Sequence, residues 1–142
     1  MKKNRNILKL KGHTIWSVKS EDTVFEALKI MAEKHLGALL VIDDEQLVGI
    51  ISERDYARKI ILRGRFSHAT SVSEIMSTKV VCAQLDQGVD ECMALMTDKR
   101  VRHLPVLDEG KVVGVISMGD LVKAVIAEQQ FVIEQLEHYI SG

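Results

Sequence analysis

Val24, Ala27, Leu28, Met31 and His35 fall at i, i+3, i+4, i+7 and i+11, which puts them along one stripe of a helix. Val89, Cys92, Met93 and Met96 repeat that stripe later in the chain. After each stripe the apolar positions crowd together. The runs ALLVI (38–42) and HLPVL (103–107) lead into acidic turns, DDEQ and DEGK, and then into LVGII and VVGVI. Two apolar runs across a short polar turn predict a β-hairpin with a mostly buried face. A further strand is predicted near TIWSV and near KVVCA, ahead of each stripe, and a second helix is predicted to begin near Asp55 and near Asp120. Each stretch therefore reads strand, helix, strand, strand, helix.

Sliding the chain by 65 residues aligns 24–60 with 89–125 without a gap, and 12 of the 37 positions are identical. An internal duplication at this spacing predicts two copies of one structural unit. The expected fold class is α/β with α+β character: two β-α-β-β-α repeats packed through their sheets with pseudo-twofold symmetry, because neither half alone has room for a comfortable core. The expected domains are residues 7–65 for the first repeat, 72–127 for the second and 128–142 for a helical extension. The segment RGRFSHATS (63–71) loses the apolar period and reads as the connection, followed by a short helical turn at VSEIM. The last helix carries Val122, Val125, Gln129, Val132, Leu136 and Tyr139 at alternating steps of three and four, the spacing of a helix seam. A second copy of the chain, in a homodimer, is the expected partner of that seam, and folding back on its own chain is the alternative.

Composition narrows the functional classes. Nineteen Lys and Arg against 20 Asp and Glu give a net charge of −1, so no global field gathers nucleic acid or an anionic membrane, and any bound anion must be held locally. The longest apolar run, 36–42, is far short of the roughly 20 residues that a spanning helix needs, and the basic opening MKKNRN leads into no apolar signal region. A cytoplasmic location is expected. Cys82 and Cys92 form neither a disulfide framework nor a CxxC pair and read as core residues. His13, His68 and His138 show no ligand spacing, so no metal is expected. There is no GxSxG, HExxH or P-loop, and the expectation is a protein that is not an enzyme, with a thiol-redox role for the cysteines as the least weak catalytic reading.

The chemistry concentrates where the repeats agree most closely, at GIISERD (49–55) and GVISMGD (114–120). In each, a strand ends at a serine that starts a turn into a helix, with an aspartate three residues on. Backbone N–H groups of a first helical turn favour an anion, and the serine hydroxyl adds a donor. The aspartate would repel a phosphate but accepts well from two vicinal hydroxyls. Phosphate, ribose and apolar strand walls together describe a nucleotide. The same Ser-x-x-Asp pattern is also close to a capping box, which stabilises a helix start by about 0.5–2 kcal/mol with no ligand at all. The two roles are compatible.

The hairpins ALLVIDDEQLVGIISERD and RHLPVLDEGKVVGVISMGD, each behind an amphipathic helix and a strand, resemble the CBS domain, named from cystathionine β-synthase, which occurs in tandem pairs. The resemblance covers roughly residues 18–125. It implies a regulatory module that binds adenine nucleotides in clefts between the repeats, AMP first, with ADP, ATP, NAD or S-adenosylmethionine as other ligands, and that signals to a partner protein. Carried over residue by residue, it implies one cleft of Ser52, Arg54 and Asp55 with Val80, Val81, Arg102, His103, Leu104 and Pro105. The other cleft uses Ser117 and Asp120 with Ile15, Trp16, Gly37, Ala38 and Leu39. The serines would meet phosphate and the aspartates the ribose hydroxyls. Arg54, Arg102 and His103 favour the Asp55 cleft as the tighter site, since Met118, Gly119, Gly37 and Ala38 stand at the corresponding places of the other. Leu40 departs from the pattern where the second repeat has Pro105. A ligand-free dimeric scaffold, with the Ser-x-x-Asp pairs acting as caps alone, is the competing reading.

Overall fold

The computed structural model describes residues 2–141 and divides into two compact units. Ile15–Val80 form the first. The chain from Val81 onward forms the second, together with the residues up to Thr14.

In the first unit, β1 (Ser17–Val18) runs parallel to β2 (Ala38–Asp43), which pairs antiparallel with β3 (Gln46–Ser52). Between β1 and β2 lies α2 (Val24–Lys34). Thr23 caps it, its Oγ1 accepting from the Glu26 N–H at 3.1 Å, and His35 ends it in the left-handed region at φ 55°. The predicted stripe faces inward: Val24, Ala27 and Met31 are buried with Val18, Leu39, Val41, Ile51, Ile60, Val72 and Ile75. The strands run into the acidic turn and leave only Asp44 and Glu45 outside the ladder, both at positive φ, as a tight two-residue hairpin connection requires. Beyond Ser52 the chain makes one turn of α3 (Glu53–Tyr56), widens to a π-helical turn at Ala57–Ile61, and later forms the short helical turn predicted at VSEIM, Val72–Glu74.

The second unit repeats this plan. β4 (Ala83–Gln84) is parallel to β5 (His103–Asp108), which pairs antiparallel with β6 (Lys111–Ser117), and α4 (Val89–Lys99) connects β4 to β5. The register is conserved to the residue: Ala38 stands opposite Ser52 and His103 opposite Ser117, and both hairpins carry an irregularity just after Val41 or Val106. The strands predicted near TIWSV and KVVCA are present but short, two residues each.

One element has no counterpart in the periodicity. α1 (Asn4–Lys11) packs against the second unit's sheet, so residues 7–14, grouped by sequence with the first repeat, lie with the second. Leu8 is fully buried, and Asn4, also fully buried, donates through Nδ2 to the Gln84 carbonyl and to Cys92 Sγ. Arg5 pairs with Asp86 at 2.8 Å.

α5 (Met118–Ser141) buries Leu121 and Ala124. Val125, placed by sequence in the outward seam, instead packs against its own unit's core. Exposed large residues step by four and three along Val122, Ile126, Ile133, Leu136 and Ile140, with the exposed Gln129 between Ile126 and Ile133; Val132 and Tyr139 of the seam read from the sequence are exposed as well, as is Phe131. No helix among the described residues is long and apolar enough to cross a membrane.

Candidate functional site

Glycine recurs in both signatures because another segment lies across the strand there. A Cβ on Gly49 would sit 2.7 Å from Met76 Sδ and 2.9 Å from the Ser77 carbonyl oxygen; one on Gly114 would sit 2.7 Å from Leu8 Cδ2 of α1. The same residue thus admits two unrelated intruders, each beside the strand that ends at the Ser-x-x-Asp turn.

At the first turn, the extended backbone of Ser52 breaks out of β3 and a closed set of bonds forms. The Ser52 N–H donates to Asp55 Oδ2 at 2.9 Å, the Asp55 N–H donates to Ser52 Oγ at 3.2 Å, and Ser52 Oγ donates to Asp55 Oδ2 at 3.0 Å. Lys59, one helical turn on, lies 3.2 Å from Asp55 Oδ1 and also donates to the Ile75 carbonyl at 2.8 Å. The Glu53 N–H donates to the Gly37 carbonyl at 3.0 Å, tying the turn to the start of β2.

The second turn has the same frame. The Ser117 N–H donates to Asp120 Oδ2 at 2.8 Å and the Asp120 N–H to Ser117 Oγ at 3.2 Å. Its cation comes from elsewhere: Lys11 of α1 lies 2.6 Å from Asp120 Oδ2 and donates to the Val115 carbonyl at 2.8 Å. The Met118 N–H donates to the Arg102 carbonyl at 2.9 Å. Burial would raise the Asp120 pKa, but the hydrogen bond from Lys11, those from Ser117 and the Lys11 charge together outweigh it and hold the carboxyl below its ordinary value. His103 moves down from its ordinary value, first through burial and then through Lys11 and Arg102, with Asp120 opposing, so its imidazole is neutral at neutral pH.

Within the first unit, then, the structure sets Ser52 and Asp55 against Gly37, Ala38 and the buried Leu39, with Arg54 exposed beside them. Trp16 is exposed at 41%, its ring 4.5 Å from the Lys34 ammonium, and Ile15 is half-buried. Within the second unit it sets Ser117 and Asp120 against Arg102, just ahead of β5, and His103, Leu104 and Pro105 on β5; Val81 packs on that unit's core, and Val80 is the last residue of the first unit. Sequence reasoning missed both lysines. Lys59 was visible as an i, i+4 partner of Asp55, but nothing local marks Lys11.

Both aspartates cap their own backbones, so the capping role is real. Neither is sealed off: the Asp55 and Asp120 side chains keep 17% and 18% of their exposure. No group of His, Cys, Asp and Glu among the described residues could hold a metal ion.

The CBS domain family model matches residues 12–62 and 72–127. The chain belongs to the CBS domain family. It is 40% identical over 136 residues to the CBS domain-containing protein CBSX3, mitochondrial, of Arabidopsis thaliana, an alignment covering 92% of this chain and 66% of that protein. Among solved CBS structures, the putative signal-transduction protein from Burkholderia ambifaria is 55% identical with a TM-score of 0.87, over 90% of this chain and 96% of that one. The CBS domain pair of protein MJ0100, solved in complex with 5-methylthioadenosine and S-adenosyl-L-methionine, is 25% identical with a TM-score of 0.80, over 90% and 98%. The resemblance read from the two signatures is therefore correct, and the chain is a tandem CBS pair.

Proposed function

We propose that this CBS pair is a regulatory module that binds adenine nucleotides at its two Ser-x-x-Asp turns and passes their level to a partner protein, acting as a binding module rather than an enzyme. AMP is the first candidate; ADP, ATP, NAD and S-adenosylmethionine share its adenosine moiety. One observation carries the reading. Both repeats hold a partly exposed carboxylate, a serine hydroxyl and an ammonium together at the end of the third strand of their sheet, in the same frame. The capped carboxylates still have room: Asp120 takes two donors through Oδ2, and a carboxylate accepts roughly four. The adenosine compounds bound by the MJ0100 pair support the same ligand class.

Sequence favoured the Asp55 site partly for Arg102 and His103. Since both stand beside Ser117 in the second unit, we give the Asp120 site the stronger claim to a phosphorylated ligand. Binding can shift a partner only if the ligand prefers one arrangement of the pair, typically by about 1–3 kcal/mol. The exposed stripe from Val122 to Ile140 supports a homodimer through α5, because steps of four and three form a two-helix seam and the acids Glu128, Glu134 and Glu137 lie off it. A cytoplasmic location fits the two thiols, which the fold leaves out of any disulfide.

The ligand-free scaffold is kept as a second reading because both carboxylates cap their own backbones. Calorimetry with AMP, ADP, ATP, NAD, S-adenosylmethionine and 5-methylthioadenosine separates the two. Saturable binding that Asp55→Ala and Asp120→Ala each weaken supports the sensor; no heat from any of them at millimolar concentration leaves the scaffold.

A further inference from the structure

Aligned by the 65-residue repeat, Lys59 falls on Ala124, so the second repeat lacks the lysine its sister places beside the carboxylate. Asp120 nevertheless has its ammonium. Lys11, on a helix outside the duplication, reproduces both bonds of Lys59: one to the carboxylate and one to a backbone carbonyl, Val115 in place of Ile75. These bonds use two of an ammonium's three protons.

The surroundings differ. Asp55 shares its turn with a second carboxylate, Glu53, whereas the residues between Ser117 and Asp120 are the uncharged Met118 and Gly119. Beside Asp120 the Lys11 ammonium therefore faces a single carboxylate of the turn, and the facing His103 is neutral. A ribose asks the carboxylate only for lone pairs. A phosphoryl group asks for charge-assisted donors, which bind more strongly than neutral ones.

We propose that Lys11 is a specificity residue of the Ser117–Asp120 site, its remaining N–H meeting a phosphoryl group, so that this site prefers nucleoside phosphates to uncharged nucleosides. The inference rests on the adenine-nucleotide reading of the same site. A lysine that only pins α1 to Asp120 would affect both ligand classes alike, whereas a phosphate donor separates them.

The test titrates AMP and adenosine into the full chain carrying Asp55→Ala, which leaves the second site alone, with Lys11 intact, Lys11→Met, Lys11→Gln or Lys11→Arg. Thermal unfolding identifies the folded variants, and Lys11→Gln serves if Lys11→Met is unstable. The expected result is that AMP binding weakens about tenfold or more in the neutral variants while adenosine changes less than about twofold, and that Lys11→Arg retains most of the AMP affinity. Equal loss for both ligands, or no loss for either, overturns the role of Lys11 and leaves the nucleotide reading standing. Binding to the unmutated chain that vanishes entirely with Asp55→Ala also overturns it. If the unmutated chain binds neither ligand, the nucleotide reading fails first.

Discussion

Asp120 Oδ2 lies 2.6 Å from Lys11 Nζ, 109 residues away in sequence, whereas Asp55 meets its own ammonium only one helical turn along the chain, at Lys59. Two repeats with one backbone frame have arrived at the same ion pair by different routes.

That pair makes a pH-dependent prediction. The Asp120 pKa is depressed in the folded chain, so its contribution to stability is present above the ordinary aspartate value of about 3.9 and is lost as pH falls through the lower folded value. With Lys11→Met, burial is opposed only by the Ser117 hydrogen bonds and the depression shrinks. The stability gap between parent and variant, measured by urea unfolding, should be widest near neutrality and close below about pH 4. A gap independent of pH would assign the loss to packing of the lysine stem.

Much of the fold is legible in the sequence. The hairpins, the two helical stripes and the duplication follow from local periodicity, and the register of Ser52 and Ser117 follows from the 65-residue spacing. α1 was not legible. NRNILKLK has only three apolar residues and a basic character, and its helix is held by contacts more than 70 residues away: Asn4 to Gln84 and Cys92, Leu8 over Gly114. The Lys11 contact shares that cause. Of the seam read from the sequence only Val125 turns inward, because the first turns of α5 lie against the second core, where Leu121 and Ala124 are buried.

The two signature glycines should not tolerate alanine equally. At Gly114 the obstacle is side chain alone, the two methyl groups of the buried Leu8; at Gly49 it includes the Ser77 carbonyl, fixed by its exchange of hydrogen bonds with Ile50. Gly49→Ala should destabilise by about 1–3 kcal/mol and Gly114→Ala by less, as read from chemical denaturation midpoints. Equal losses would mean that the α1 contact is as rigid as a backbone one.

Removing the anchor of α1 should be costly and visible at a thiol. Leu8→Ala opens a cavity in a closed core and is expected to cost about 2–5 kcal/mol. Cys92 is fully buried and its pKa is raised by burial, the Asn4 hydrogen bond opposing and Glu91 and Asp90 assisting, so it should resist Ellman's reagent in the parent and react readily in Leu8→Ala. Cys82, half-buried and likewise pushed up by burial, should react slowly in both. Fast Cys92 labelling in the parent would show that α1 spends much of its time undocked.

If α5 pairs with a second copy, Gln129 sits amid the apolar positions Ile126, Ile133 and Leu136. A lone polar residue in such a seam sets register at a cost in stability. Gln129→Leu should tighten association while broadening the range of assemblies, and Ile133→Glu should yield monomers, both measured by light scattering during size exclusion. A monomeric parent chain would remove the seam from consideration.

The location of α1 also bears on how the polypeptide leaves the ribosome. Ile15–Val80 is one uninterrupted stretch whose internal partners have all been made once Val80 is, whereas Asn4 and Leu8 must wait for Gln84, Cys92 and Gly114 to be synthesised before they find their seats. α1 is thus among the last elements to settle, because its seats are made only after the whole of Ile15–Val80.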